Sequence, residues 1–398
     1  MLRPRLTRRT FLRASGTLAT AAPLLPAWLA QSACAMAPDP GRRRLVVIQL
    51  SGGNDGLNTL APFADPRYRE LRPKIGIGAE EAVRMTNELG WHPALAPLQD
   101  LLEAGRLAVL QGVGYPNAHR SHFRSMDVWH AGATDGELAA TGWLGRYLDN
   151  HCAGAPGHTA VALSGDVPPA LQGETSGAYA LARIGRTQQY LRGLDAVDAA
   201  PAAALADDAY VAKLLADART STDYLLDLRR RAPAVAGFPK TKLGRQLRQI
   251  AQLLLADAET TVYYADHGSF DTHAGQPGRH AKLLAEYAEA VAAFTNTLAE
   301  AGLLDDTFVL TFSEFGRRAA QNRNGGTDHG KANLTWAIGG RVRPTPPAEL
   351  APDLAELDDG DLAMRTDFRS VYATVLERWW GVDSAEVLGE RYQVLDFV

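Results

Sequence analysis

The chain has 398 residues, a formal net charge of −4, 46% hydrophobic and 22% charged residues, and two cysteines. That balance excludes a disordered chain, and without a basic excess a general nucleic-acid or anionic-membrane binder is disfavoured. Two thiols exclude a disulfide-dense scaffold and a four-thiolate zinc site, whereas the length suffices for one large α/β domain with its own core.

The elements begin with a leader. Thr7-Arg8-Arg9-Thr10-Phe11-Leu12-Arg13 reads as a twin-arginine export signal. A weakly apolar stretch follows to about Ala30, broken by Pro23 and Pro26 and too short to span a membrane comfortably. Ala-x-Ala cleavage signals lie at Ala33-Cys34-Ala35 and Ala35-Met36-Ala37. Residues 1–37 are therefore expected to be a signal peptide, with cleavage favoured over lipid attachment at Cys34. The export machinery is then an expected partner, the location periplasmic or secreted, and no stable span remains. This route carries folded proteins and suits one that takes up a metal in the cytoplasm. Residues 1–37 hold five arginines and no acids, so the remaining 361 residues carry −9 and keep one cysteine, Cys152.

Five apolar runs then read as buried strands, each ending in a polar or glycine-rich loop. Leu45–Leu50 meets Ser51-Gly52-Gly53-Asn54-Asp55-Gly56, and Leu107–Leu110 leads to His119-Arg120-Ser121-His122. Thr260–Tyr264 leads to Asp266-His267-Gly268-Ser269-Phe270-Asp271-Thr272-His273, and Thr307–Phe312 to Ser313-Glu314-Phe315-Gly316-Arg317-Arg318. Leu334–Ile338 ends in Gly339-Gly340. Helical patterns alternate with them. The best spans Gly278 to Gly302, with Leu284, Tyr287, Val291, Phe294 and Leu298 on one stripe, and another covers Leu243 to Ala256. This predicts an α/β fold with a largely parallel central sheet sandwiched by helices. Residues 153–242, Ala-, Gly- and Pro-rich with a helical stretch from about Ala206 to Arg231, read as an insertion or cap, and Thr366 to Gly381 as a closing helix.

Ligands bind beyond the strand C-termini of open α/β sheets, so the polar loops are expected to converge. Ser121 sits at a predicted helix start, where N–H groups and the dipole favour an anion; the commoner role for a serine there is an N-cap. Asp and His in the 266–280 segment suit zinc, manganese or iron, and Asp271 and His273 are favoured as ligands. Asp55 alone reads more readily as a turn residue. Glu314 is a further candidate ligand, Arg317 a holder of phosphate or sulfate oxygens, and His329 of Gly326-Thr327-Asp328-His329-Gly330 a ligand that turn chemistry does not require.

The motifs Ser-Gly-Gly-Asn-Asp-Gly-Leu-Asn (51–58), Ser-His-Phe (121–123), Phe-Asp-Thr-His (270–273), Ser-Glu-Phe-Gly-Arg-Arg (313–318), Gly-Thr-Asp-His-Gly (326–330) and Thr-Asp-Phe-Arg (366–369) resemble an exported bacterial family, domain of unknown function 1501. That family is more distantly similar to the alkaline phosphatase and sulfatase superfamily. The resemblance implies an alkaline-phosphatase-like domain over residues 38–398. It implies Asp55, Asp271, His273, Glu314 and His329 as metal ligands, Ser121 as nucleophile with His122 and Arg317 beside it, and one or two divalent ions, zinc foremost. Two departures stand out: Glu314-Phe315 replaces an Asp-His, and the 271–273 spacing is short, with His280 a possible substitute. The expected function is an exported metal-dependent hydrolase of small phosphate or sulfate esters. The alternative is a non-catalytic binding or assembly protein on a degenerate hydrolase scaffold. A metal-free esterase is disfavoured because no Gly-x-Ser-x-Gly elbow is present.

Overall fold

The computed structural model describes residues 43–133, 140–196 and 209–398. The export signal expected in residues 1–37 lies outside them.

Eight strands form the main sheet: β1 (Arg44–Leu50), β2 (Leu107–Gly114), β3 (Ala160–Ala162), β4 (Tyr179–Ala180), β5 (Val262–His267), β6 (Thr307–Ser313), β7 (Asn333–Gly339) and β8 (Thr366–Asp367). Their order is β8-β2-β7-β6-β1-β5-β3-β4. β1 pairs in parallel with both β5 and β6, and β3 in parallel with β5 and β4. β7 is antiparallel to both β6 and β2. The sheet is thus largely parallel, as the alternation of strands and helices predicts, with β7 reversed. The connection from β6 to β7, residues 314–332, returns to the edge it left, so it starts and finishes where β1 and β5 end.

Side chains alternate across the strands and are buried on both faces, the reason these strands read as continuous apolar runs. Val46, Ile48 and Leu50 of β1 pack with Tyr263, Ala265 and Val309 on one face. Leu45 and Val47 pack with Val262, Tyr264, Phe308 and Leu310 on the other.

The helices that matter for the site are α1 (Gly56–Thr59), α2 (Pro66–Leu71), α3 (His122–Ala131), α4 (Trp143–His151), α5 (Lys242–Leu255), α6 (Gln276–Glu300) and α7 (Phe368–Thr374). The first face is covered by α5, through Leu243, Leu247, Ile250 and Leu254, and by α6, through the predicted stripe Leu284, Tyr287, Val291, Phe294 and Leu298. Both sets recur every three or four residues, so each helix buries one side. The opposite face is covered by α3, α4 and α7, where Trp129 stacks on Phe312 and Trp143 on Tyr372. α7 starts on the Asp367 side chain, which accepts from the Arg369 N–H, and runs on as a π-helical turn over Val375–Trp380.

Residues 153–242 supply the last two strands on one side of the sheet, β3 and the edge strand β4, as well as helical cover, so part of the expected insertion is built into the sheet itself. Among the described residues no helix is long and apolar enough to cross a membrane.

Candidate metal centre

Register brings the loops together. Leu50 of β1 lies opposite both His267 of β5 and Ser313 of β6, so three loops leave the sheet at one level. Backbone bonds stitch them: Ser51 N–H to the His267 carbonyl, Phe270 N–H to the Ser51 carbonyl. Gly52 has φ +113°, and a Cβ there would lie 2.5 Å from the Asp271 nitrogen. Glycine is therefore required where the first loop crosses the third. The β6–β7 connection folds back on itself through Gly330 N–H to the Gly316 carbonyl and Gly316 N–H to the Lys331 carbonyl. This carries His329 over the strand ends. α3 enters from the other side and places His122 at its first turn.

Four donor atoms meet there. Asp271 Oδ1 lies 3.4 Å from His122 Nε2, 3.0 Å from His273 Nε2 and 3.1 Å from His329 Nε2. His273 Nε2 and His329 Nε2 are 2.9 Å apart. A tetrahedral zinc ion with ligands at about 2.0–2.1 Å spaces them about 3.3 Å apart; the ligand atoms of His122, Asp271 and His329 all lie within 4.8 Å of one another, and His273 flanks this trio beside Asp271 and His329.

Each imidazole is oriented from behind. His122 Nδ1 donates to Glu314 Oε1 at 2.8 Å, His273 Nδ1 to Asp328 Oδ1 at 3.1 Å, and His329 Nδ1 to the Arg120 carbonyl at 2.8 Å. With Nδ1 carrying the proton in all three, every Nε2 presents a lone pair inward, the tautomer that metal-binding histidines adopt. Three such lone pairs facing one carboxylate oxygen repel unless a cation or extra protons lie between them. His122 Nε2 is buried and makes no hydrogen bond. The donor set therefore fits a divalent ion of the zinc type.

The backing groups are themselves fixed. Glu314 is buried, and its Oε1 also accepts from the Gly52 N–H at 2.8 Å while Oε2 accepts from Ser313 Oγ. Arg120, whose carbonyl holds His329, is clamped by Asp361 and Asp359. The hydrogen bond to Glu314 raises the His122 pKa, although burial opposes it. Burial alone would raise Asp271, but Arg317 and the histidines bring it down to about 2, so it is ionised at neutral pH.

A family model described as "Protein of unknown function (DUF1501)" matches residues 108–390. The chain belongs to that family. No curated protein matches its sequence. Solved structures similar to it include the C-terminal periplasmic domain of EcEptC from Escherichia coli, crystallised with zinc, at 9% identity and TM-score 0.40 over 84% of this chain and 83% of that one. A protein in the alkaline phosphatase superfamily from Vibrio parahaemolyticus is 9% identical, with TM-score 0.38 over 91% and 76% of the two chains. PsFucS1 sulfatase from Pseudoalteromonas sp. is 12% identical, with TM-score 0.37 over 93% and 78%.

Of the residues singled out in the sequence, Asp271, His273 and His329 converge as ligand candidates, and His122 joins them, as a ligand candidate in place of the catalytic role expected. Asp55, Glu314, Arg317 and His280 are placed otherwise than expected. Asp55 points away from the cluster. It is 1% exposed, pairs with Arg72 Nη1 at 2.6 Å, accepts from Gln276 and caps α1 through the Asn58 N–H. The Arg72 guanidinium holds its carboxyl below the ordinary value despite full burial. Both its oxygens are engaged within the protein, Oδ2 by Arg72 and Gln276 and Oδ1 by the Asn58 N–H. Glu314 backs His122 instead of ligating. Arg317 is buried and spent on the protein: Nε donates to the Gly53 carbonyl, Nη1 to the Thr327 carbonyl, and Nη2 to Gly52, Phe270 and Asp271. It ties together the loops after β1, β5 and β6 and is a positioning residue, buried and committed to the protein. His280 lies beneath the cluster, bonded to Asn54 Oδ1 at 2.9 Å, and does not replace a missing ligand. Ser121 occupies the N-cap position of α3, but its side chain makes no cap bond and is exposed.

Arg72 and Gln276, the partners that divert Asp55, carry no local signal in the sequence: each is a lone polar residue 17 or 221 positions away. His122 was legible as a polar residue at a helix start, but not as a ligand.

Proposed function

We propose that the chain is a metal-dependent hydrolase of phosphate or sulfate esters that holds one divalent cation, zinc foremost, on His122, Asp271, His273 and His329. The observation that carries this reading is the convergence of three Nε2 lone pairs and one carboxylate oxygen, each imidazole fixed through its Nδ1. A bound ion would supply Lewis-acid polarisation of the ester and offset the charge that develops on it.

The chain's own groups do the rest. Ser121 Oγ, uncommitted to capping, is the nucleophile. It forms a bond to phosphorus or sulfur, the ester oxygen leaves with the bonding pair and takes up a proton, and water then releases the seryl ester. The positive end of the α3 dipole favours the anionic ester beside it. Arg317 and Glu314 hold Asp271 and His122 in place. Export by the twin-arginine route, supported by Thr7–Arg13, would put this activity in the periplasm or outside the cell.

The test is elemental analysis of protein purified from the cytoplasm, combined with 4-nitrophenyl phosphate, bis(4-nitrophenyl) phosphate and 4-nitrophenyl sulfate. One equivalent of metal per chain is expected, with hydrolysis that a chelator removes, zinc restores and Ser121→Ala abolishes. Metal-loaded protein that turns over none of these would favour the second reading, a binding protein on a hydrolase scaffold. The diversion of Asp55 to Arg72 favours that reading, because it removes a ligand that a second ion would need.

A further inference from the structure

The cluster opens sideways into a cleft of about 420 Å³ that shares His122, Asp271 and Glu314 with it. The far wall is apolar. Phe123 follows His122 directly and is 87% exposed, the most exposed large hydrophobic side chain among the described residues. Met126 lies three residues on, on the same face of α3, and Pro169 stands opposite. Burying so exposed a ring against water is favourable for any apolar surface that fits it, and a neighbouring thioether adapts to irregular shapes.

Charge points the same way. Among the described residues that line this cleft there is no lysine or arginine, and its carboxylates are Asp127 at the exposed rim, Asp271 and Glu314. His130 on the floor is held neutral by burial, which lowers its pKa to about 4, and its Nε2 is engaged with Gln49 Oε1 and the Tyr264 hydroxyl. A second anionic group on the substrate would meet carboxylates and no compensating cation. The cations nearby, Lys242, Lys282 and Arg279, line a neighbouring cleft across Ser269 and not this one, and the two lysines are paired with Asp266 and Glu286.

We infer that this cleft receives the alcohol part of the ester, and that this part is apolar and uncharged, an aryl or acyl-chain group, selected by Phe123 and Met126. The inference rests on the hydrolase reading for the ester at the cluster, while the selection by Phe123 is measurable as binding alone. The substrate class is thereby narrowed away from esters whose alcohol carries further sulfate, phosphate or carboxylate groups.

The test uses the zinc-loaded full chain and matched pairs that differ only in apolar size. Phenyl and 2-naphthyl phosphates and sulfates are compared in turnover, and phenylphosphonate and 2-naphthylphosphonate in binding by calorimetry. The naphthyl member is expected to be preferred by about tenfold, with the difference in KM or Kd and not in kcat. Phe123→Ser should bring the ratio close to one and Phe123→Trp should retain it. Because Phe123 is exposed, neither variant is expected to alter folding, which thermal melting checks. Equal ratios in the native protein and in Phe123→Ser, or tighter binding of 4-carboxyphenylphosphonate than of the naphthyl compound, would overturn the inference. If no ester is turned over while the phosphonates still show the Phe123-dependent ratio, the hydrolase reading fails and the apolar cleft stands.

Discussion

Two neighbouring sets of polar residues lie at the same edge of the sheet and behave in opposite ways. In the lower set, Asp55, Arg72, Asn58, Gln276, Asn54 and His280 are buried and bond one another. In the upper set, Asp271, His122, His273 and His329 are part-exposed, and their bonding capacity points at a common centre. Each set has an aspartate and histidine at its centre. The difference is whether the carboxylate is engaged by cationic and amide donors of the protein or faces imidazole nitrogens. A carboxylate closed by an arginine holds the fold together, whereas one facing three imidazole lone pairs calls for a cation.

The comparison breaks most readily at Asp55. Asp55→Ala leaves the Arg72 charge buried without its partner and should cost about 3–5 kcal/mol of stability, measured by denaturant titration, while the folded fraction still binds zinc. Zinc binding lost along with Asp55, at unchanged stability, would reverse the two roles.

Acid offers a second separation. Burial lowers His280 to about 3 and His92 to about 4, so both are neutral in the fold. Their contribution to stability is complete above pH 6.5 and is lost as the pH falls toward those values; Asp55, held low by Arg72, adds a loss below its ordinary range of about 3.8. The metal-free protein should therefore melt more than about 5 °C lower at pH 4 than at pH 7. A flat profile would mean that the buried histidines are not held neutral.

The upper set is sharpened by ligand changes. His329→Gln and His273→Gln should each weaken zinc binding by more than about 100-fold, as read by competition with a chelating dye. Glu314→Gln, which keeps the shape but alters the group behind His122, should weaken it by about 10–100-fold. If Glu314→Gln cost more than either histidine change, Glu314 would be a ligand and not a backing group. The smallest effect is expected at Ser121: its exposed side chain caps nothing, so Ser121→Ala should shift stability by less than about 0.5 kcal/mol while it removes turnover.

Much of this is legible in the sequence. The strand runs from Leu45, Leu107, Thr260, Thr307 and Leu334 all appear as sheet strands, because a strand buried on both faces leaves an unmistakable apolar run. The stripe from Leu284 to Leu298 did the same for α6. That polar loops gather at one edge followed from a parallel sheet alone. The reversal of β7 did not, since direction depends on how far the connecting chain must travel and not on the strand's own residues.

The sequence by itself therefore determined the element types, the edge that carries the polar loops, and Asp271, His273 and His329 as ligand candidates. Only the tertiary structure decided which polar groups are spent. Asp55 and Arg317 look available in sequence because their partners, Arg72, Gln276 and the Gly52, Gly53, Phe270 and Thr327 carbonyls, come from elsewhere in the chain. Periodicity records burial, which is local. The satisfaction of a lone pair depends on a particular atom arriving from a distant loop, and that is fixed by packing.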